Sequence, residues 1–287
     1  MTTGRTLLPR RGIALAGFLG LALALIVPVP PAGGAEPDAG FERLYGELLA
    51  TYWRPPVTIH GIRTTTFDYA GMKRDAEADD SIFRRTLAAL EHAEPDRLAG
   101  EAALKAFWLN AYNFAAIRLI VDHYPVDSIR SLKISLLRHP WSKAAIRIGG
   151  TAYALEEIEK GVLLKRAQDP RIVFAVNCAA VSCPDRIPEP FTAERLDAQM
   201  DGMIRTFLSN PGKGLALHRD TRILTVSWIF KKDAHLFPGD RGGVLGFIRP
   251  YLPPETRARL EANPVAIRYF DHDWTLNDVA QARGEDG

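Results

Sequence analysis

The chain has 287 residues, 47% hydrophobic and 24% charged. That balance describes a globular protein and excludes a disordered or fibrous one. A net charge of +2 is too small for a nucleic-acid footprint, so no nucleic acid is expected as a partner.

The chain opens with the pattern of an export signal. Arg5, Arg10 and Arg11 precede an apolar run from about Gly12 to Val27, which Pro28, Pro30 and Pro31 close. Ala32-Gly33-Gly34-Ala35 offers small residues for cleavage after Ala35, so residues 1–35 read as a signal peptide. Arg10-Arg11 also fits a twin-arginine signal. The mature protein is expected in the bacterial periplasm or outside the cell, with no stable membrane insertion after cleavage. An uncleaved anchor is the second reading, although a spanning helix needs about 20 apolar residues. The remaining chain, of about 250 residues, suits one large domain or two small ones.

Phe41, Leu44, Tyr45, Leu48, Leu49 and Tyr52 recur at helical spacing, and Pro55-Pro56 ends that helix. Residues 57–68 form a short strand or loop. Ser81 is placed to cap a helix running to about Ala93. Residues 102–123 are apolar nearly all round, which marks a buried helix, ended by Pro125. A hairpin is expected over Ile146–Tyr153, turning at Gly149-Gly150. Leu155 to Leu164 reads as a helix with Glu156, Glu157 and Glu159 near its start. Arg171 to Val176 is apolar without alternation and predicts a strand covered on both faces. Thr192 to Leu208 predicts a helix capped by Thr192. Leu215–His218 and Ile223–Val226 predict a hairpin around Asp220-Thr221; helices over 244–251 and 255–262 and a strand over 267–270 follow. Residues 281–287 form a polar tail. The fold class is α+β: a single helix-rich domain over 36–280 with a small mixed sheet and short hairpins.

Several stretches together resemble one family. They are Phe67-Asp68-Tyr69-Ala70, Phe107 to Asn113, Leu155 to Glu159, Asp169 to Pro184, Phe191 to Asp197, Ser227 to Phe230 and Asp273 to Asn277. In order along the chain they resemble the domain of unknown function 547 family. The resemblance implies a shared fold and brings no reaction with it. Members often carry histidine where this chain has Lys160 and Val173. Their absence weakens a thiol mechanism here.

Cys178 and Cys183 are the only cysteines. In an oxidising compartment such a pair defaults to a disulfide. Fully extended, their separation would span about 16 Å, whereas bridged Cα atoms lie within about 7 Å. The segment must therefore turn, and Ser182 and Pro184 suit that. The other reading makes Cys183 a nucleophile, with Glu159 as base or orienting carboxylate and Asn177 at the oxyanion. It needs an activated thiolate. His92, His123, His139, His218, His235 and His272 are all open as partners, none singled out by spacing.

Asn110 and Asn113 share a helix face. They either brace a neighbouring loop or, with Asn177 and Ser182, line a polar ligand pocket. Asp271-His272-Asp273 resembles a metal cluster, but adjacent side chains diverge and no zinc spacing supports it, so no metal and no cofactor are expected. Trp53, Trp108, Trp141, Trp228 and Trp274 read as core, or as platforms for sugars. Lys133, Arg138, His139, Lys143 and Arg147 read as a solvated basic loop, or as a contact for an anionic surface. The resulting expectation is an exported cell-envelope binding or structural module with a pocket near the Cys178–Cys183 loop. Its partner is an unidentified small molecule or envelope component. A thiol-dependent hydrolase or acyl transferase is the alternative.

Overall fold

The computed structural model describes residues 1–2, 39–137, 139–218, 222–239 and 241–282. The expected signal peptide, Arg138, the Asp220-Thr221 turn and the end of the polar tail lie outside the described residues. Residues 1–34 separate from residues 35–287 as a contact unit, and every described helix and strand belongs to the second unit.

Helix α1 (Ala39–Tyr52) buries Phe41, Tyr45, Leu48 and Leu49, as its helical spacing predicts. The chain passes directly into strand β1 (Trp53–Ile59), which carries both prolines, and pairs antiparallel with β2 (Ile62–Phe67). The expected strand-or-loop is thus the second half of a hairpin. Helix α2 (Tyr69–Ala76) was not expected; it is started by Asp68, whose carboxylate accepts from the Gly71 amide at 2.7 Å. Helix α3 (Ile82–Glu91) is capped by Ser81, whose hydroxyl accepts from the Arg84 amide at 3.2 Å.

Helix α4 (Glu101–His123) is the central element. Residues 106 to 117 are buried without interruption, including Trp108, Asn110, Tyr112 and Asn113. Around it pack α1, α2 and strand β3 (Ala144–Ile148), which pairs antiparallel with β4 (Thr151–Ala154). The acidic segment after β4 is helical, as predicted, but winds as a π-helix over Glu157–Leu164 before the short α5 (Lys165–Ala167).

The expected strand after Asp169-Pro170 is not a strand. Ile172–Ala175 form a short helix, α6. Asp169 starts the turn: its side chain accepts from the Arg171 amide at 3.0 Å and its carbonyl from Ile172 at 3.2 Å. An unbroken apolar run reports burial, not the backbone that achieves it.

Helix α7 (Leu196–Leu208) starts four residues later than expected. Thr192 does not cap it; its amide donates to the Gln199 side chain at 3.1 Å, and residues 193–195 form a turn. Strands β5 (Leu215–His218) and β6 (Ile223–Val226) pair antiparallel, as expected. After α8 (Ile229–Lys232), α9 (Arg241–Ile248) and α10 (Pro254–Ala262), strand β7 (Ala266–Tyr269) joins β6 in parallel. This gives a small mixed three-stranded sheet, and the fold is α+β. A second apolar cluster, built from Phe174, Phe207, Val226, Phe230, Phe237 and Ile248, fills the space between this sheet and its helices.

Residues 271–278 then run extended back across the domain to α11 (Val279–Ala282). Leu276 bridges Ala180 in antiparallel register. The Val181 amide donates to the Thr275 carbonyl at 2.9 Å, Asn277 to Ala179 at 3.0 Å, and Leu276 to Asp127 at 2.7 Å. Asn277, itself buried, also accepts the Phe67 amide on its carbonyl at 3.0 Å and the Tyr69 hydroxyl on its side chain at 3.0 Å. Among the described residues no helix is long and apolar enough to cross a membrane.

Candidate functional site

The loop 177–184 is built by side chains bonding to backbone. Asn177 accepts the Ala179 amide at 2.7 Å and donates to the Pro184 carbonyl at 2.5 Å, which closes the turn that the two cysteines require. Ala179 takes a positive φ of 62° within it. Ser182 is held against the extended segment, its hydroxyl accepting from the Asp273 amide at 2.9 Å. Cys178 and Cys183 are joined in a disulfide, with Cα atoms 6.3 Å apart, and neither carries a free thiol. The Cys178 amide also donates to the Cys183 sulfur at 3.3 Å. In this bonded state Cys183 cannot act as a nucleophile; that chemistry requires the bridge to be opened first.

Asn110 and Asn113 meet backbone. The Asn110 amide grips Phe191 from both sides, donating to its carbonyl at 2.8 Å and accepting from its amide at 2.9 Å. Asn113 donates to the Ala175 carbonyl at 3.0 Å and accepts from the Asn177 amide at 2.9 Å. Helix α4 thereby fixes the segments on either side of the cysteine loop. Arg186, also buried, adds a bond from Nη2 to the Asn177 carbonyl at 3.0 Å and lays its guanidinium over Phe67.

A cleft of about 580 Å³ is lined by Trp141, Trp228, Trp274, Glu159, Lys232 and His272, with Arg130, His139, Glu156, Lys160, Lys231, Tyr269, Phe270 and Asp271. Beneath it lies a cavity of about 50 Å³ where Glu159, Cys178, Cys183, Tyr112, Asp233 and His272 meet. Glu159 and Cys183, far apart in sequence, therefore share one space, while Asn110 and Asn113 face another. Lys160 and Val173, where members of the resembled family often have histidine, border the cleft and the deeper cavity respectively.

Each wall has a local cause. Trp141 sits on a single helical turn started by Pro140. Trp228 follows β6, where Ser227 accepts from the Ile229 amide at 3.3 Å and starts α8. His272 and Trp274 are carried by the extended segment. Trp274 packs edge-on against Trp141 and Trp228, with ring centroids 5.5 and 5.9 Å away, and His272 lies 4.2 Å from Trp274. The Arg130 guanidinium covers the Trp274 ring at 5.0 Å.

The floor is charged. Lys232 Nζ lies 3.5 Å from Glu159 and 3.1 Å from Asp233. One ammonium thus serves two buried carboxylates. Burial pushes the Glu159 carboxyl above its ordinary value, opposed by Lys232 and reinforced by Asp233. Burial alone would lower Lys232, but Glu159 and Asp233 outweigh it and hold the ammonium above its ordinary value. The His272 ring nitrogens are buried and have no hydrogen-bond partner. Burial takes this imidazole down to about 4, against the opposing pull of Asp273, so it is neutral at pH 7. Its neighbours in sequence do not join it: Asp271 is exposed, and Asp273 pairs with His60 at 2.8 Å. Among the described residues, the three potential metal-ligating groups that do converge are Cys178, Cys183 and His272.

A second groove, of about 720 Å³, lies beside Trp53, Asp185, Glu189 and Arg195. It is larger, and two of its ion pairs are closed within it, Arg195 with Glu189 at 2.9 Å and Asp185 with the buried Lys213 at 2.9 Å, while Nε and Nη1 of the buried Arg186 have no hydrogen-bond partner. The tryptophan cleft brings three indoles together with the buried Glu159 and the partnerless ring nitrogens of His272, and is the better candidate.

The family model described as "Protein of unknown function, DUF547" matches residues 95–208. This segment belongs to the DUF547 family. No curated protein and no solved structure matches the chain. The DUF547 segment carries α4, Trp141, Glu159 and the disulfide loop. Trp228, Lys232, His272 and Trp274 lie beyond it, so the cleft is completed by residues outside the matched region. From sequence these tryptophans read first as core, and His272 stood out only within Asp271-His272-Asp273, where no metal was expected. The usable signal was that Trp228 and Trp274 each stand beside a polar or charged residue in a short motif, Ser227-Trp228 and Asp273-Trp274.

Proposed function

We propose that this protein is an exported binding module that holds a small polar ring compound, of the sugar or amino-sugar class, in the tryptophan cleft. The observation that carries the reading is the pairing of three indole walls with the buried Glu159 carboxylate and the more exposed Lys232 ammonium, which Asp233 holds from the cavity beneath. Indole surfaces take the apolar face of such a ring, and the charged floor takes its hydroxyl or amino groups. Export is supported by the N-terminal basic-apolar-small pattern and by the disulfide, which belongs to oxidising compartments. The test is a titration of the bridged protein with a panel of mono- and disaccharides and amino sugars, read by tryptophan emission. Saturable quenching that Trp228→Ala abolishes supports the reading. No saturable response from any member overturns it.

The second reading is a thiol hydrolase or acyl transferase acting from the reduced state. It is favoured by the shared cavity of Cys183, Glu159 and His272. Reduced protein should then release nitrophenol from an activated ester in a burst that Cys183→Ala removes, and bridged protein should show none.

A further inference from the structure

Cys178, Cys183 and His272 come from two segments that are bound to each other independently of the disulfide. The Ser182 hydroxyl accepts the Asp273 amide at 2.9 Å, the Ser182 amide donates to the Asp273 carbonyl at 3.3 Å, and Val181 bonds to Thr275 at 2.9 Å. Opening the S–S bond therefore leaves the loop and the histidine side by side. The two sulfurs and one imidazole nitrogen lie within 4.8 Å of one another.

From this cluster we infer that the reduced protein is a metal-binding protein. It binds one thiophilic divalent ion of the zinc type through Cys178 Sγ, Cys183 Sγ and a ring nitrogen of His272.

Four observations support this. Four residues separate the cysteines, a gap that recurs between paired zinc-ligating cysteines. The Cys178 amide already points at the Cys183 sulfur at 3.3 Å, and such a donor stabilises a thiolate. Both His272 nitrogens are buried without a partner, an arrangement that is costly unless something occupies one of them. The donor set is two sulfurs and one imidazole, which selects zinc-type ions over magnesium or calcium. Three protein donors leave one position of a tetrahedral ion for water or a cleft ligand.

The bridge controls access. A dithiol supplies two electrons and two protons: it closes to its own disulfide, the Cys178–Cys183 bond opens, and two thiols form. Zinc binding then displaces both thiol protons to solvent. While the bridge is intact, neither sulfur is available as a thiolate ligand. The inference goes beyond the ligand-binding reading and does not depend on it, because that reading is tested on bridged protein and this one on reduced protein.

The experiment uses the full chain. One portion is reduced with a water-soluble phosphine, which takes oxygen from water as it is oxidised, and the phosphine is then removed without air. Reduced and bridged portions, and reduced His272→Ala, compete for zinc with a chromophoric chelator, while far-UV dichroism checks the fold. The reduced protein should take up one zinc per chain and the bridged protein none, and His272→Ala should bind at least about tenfold more weakly. Equal binding by reduced and bridged protein overturns the proposal, as does a His272→Ala protein that binds like the reduced parent. Should His272→Ala unfold, the reduced parent still decides. Zinc should slow alkylation of both cysteines by about tenfold or more, and absence of protection overturns the proposal.

Discussion

Replacing Asn113 by alanine separates a brace from a ligand-binding residue. The amide is buried and makes two bonds, to the Ala175 carbonyl at 3.0 Å and from the Asn177 amide at 2.9 Å. Asn113→Ala leaves both backbone groups without that partner in an apolar surround. Each unsatisfied group costs about 1–3 kcal/mol, so the variant should lose roughly 2–6 kcal/mol. Set against a total stability of about 5–15 kcal/mol, this is a large fraction. For a domain this size it corresponds to a melting temperature lower by roughly 4–24 °C. The assay is urea unfolding followed by tryptophan emission, with the midpoint falling and the slope unchanged. Asn113→Asp keeps the acceptor for Asn177 but loses the donor to Ala175, so it should be destabilised as well. A folded Asn113→Ala protein that loses less than about 0.5 kcal/mol refutes the brace. If such a protein also failed to bind a cleft ligand, Asn113 would have to be moved into the site.

Four further outcomes are expected. Removing the disulfide by Cys178→Ser with Cys183→Ser should cost about 2 kcal/mol, because the closed loop is short; the same urea titration measures it. Glu159→Gln should flatten the pH dependence of stability just above pH 4.5. The native carboxyl is raised from 4.5, so the folded state holds its proton longer and the parent loses stability as pH rises through that window; melting temperature against pH for both proteins checks this. Asp169→Asn should act on the acid side. Burial opposes ionisation of Asp169, but Arg171 and Lys105 hold it below its ordinary 3.8, so its contribution is present above that value and is lost as pH falls through the folded one. The variant's acid limb should be shallower in the same measurement. Gly214→Ala would place a Cβ 1.7 Å from the Phe207 carbonyl oxygen, so it should destabilise by about 1–3 kcal/mol or more, visible as a lower melting temperature.

Where packing alone decides, the sequence was readable. The all-apolar α4, the six-residue stripe of α1 and both glycine- or polar-turn hairpins follow from spacing. Asp169 to Val176 was misread because its partners are a side-chain amide from α4 and an aspartate turn, and neither leaves a periodic trace. The turn of the cysteine loop could be inferred from the separation of its two sulfurs, whereas Asn177, which closes it, looked equally suited to ligand contact. The cleft was hidden for a different reason. Its walls come from residues 141, 228, 272 and 274, and only the tertiary path of the extended segment places them together. Nothing tied His272 to the cysteines rather than any of the six other histidines until that path was known.

That extended segment also sets an order of events. Residues 271–278 are made after every described strand and after every described helix except α11, yet they supply two walls of the cleft and pair with the cysteine loop. A growing or still-threading chain can collapse α4 and its neighbours early, since those contacts are nearby in sequence. The cleft cannot close until the segment arrives, so a chain stalled before residue 271 would present an open groove and a loop without its partner strand. Maturation of the site is therefore the last step in building this domain, and quality control that senses an unfinished chain would find its signal there.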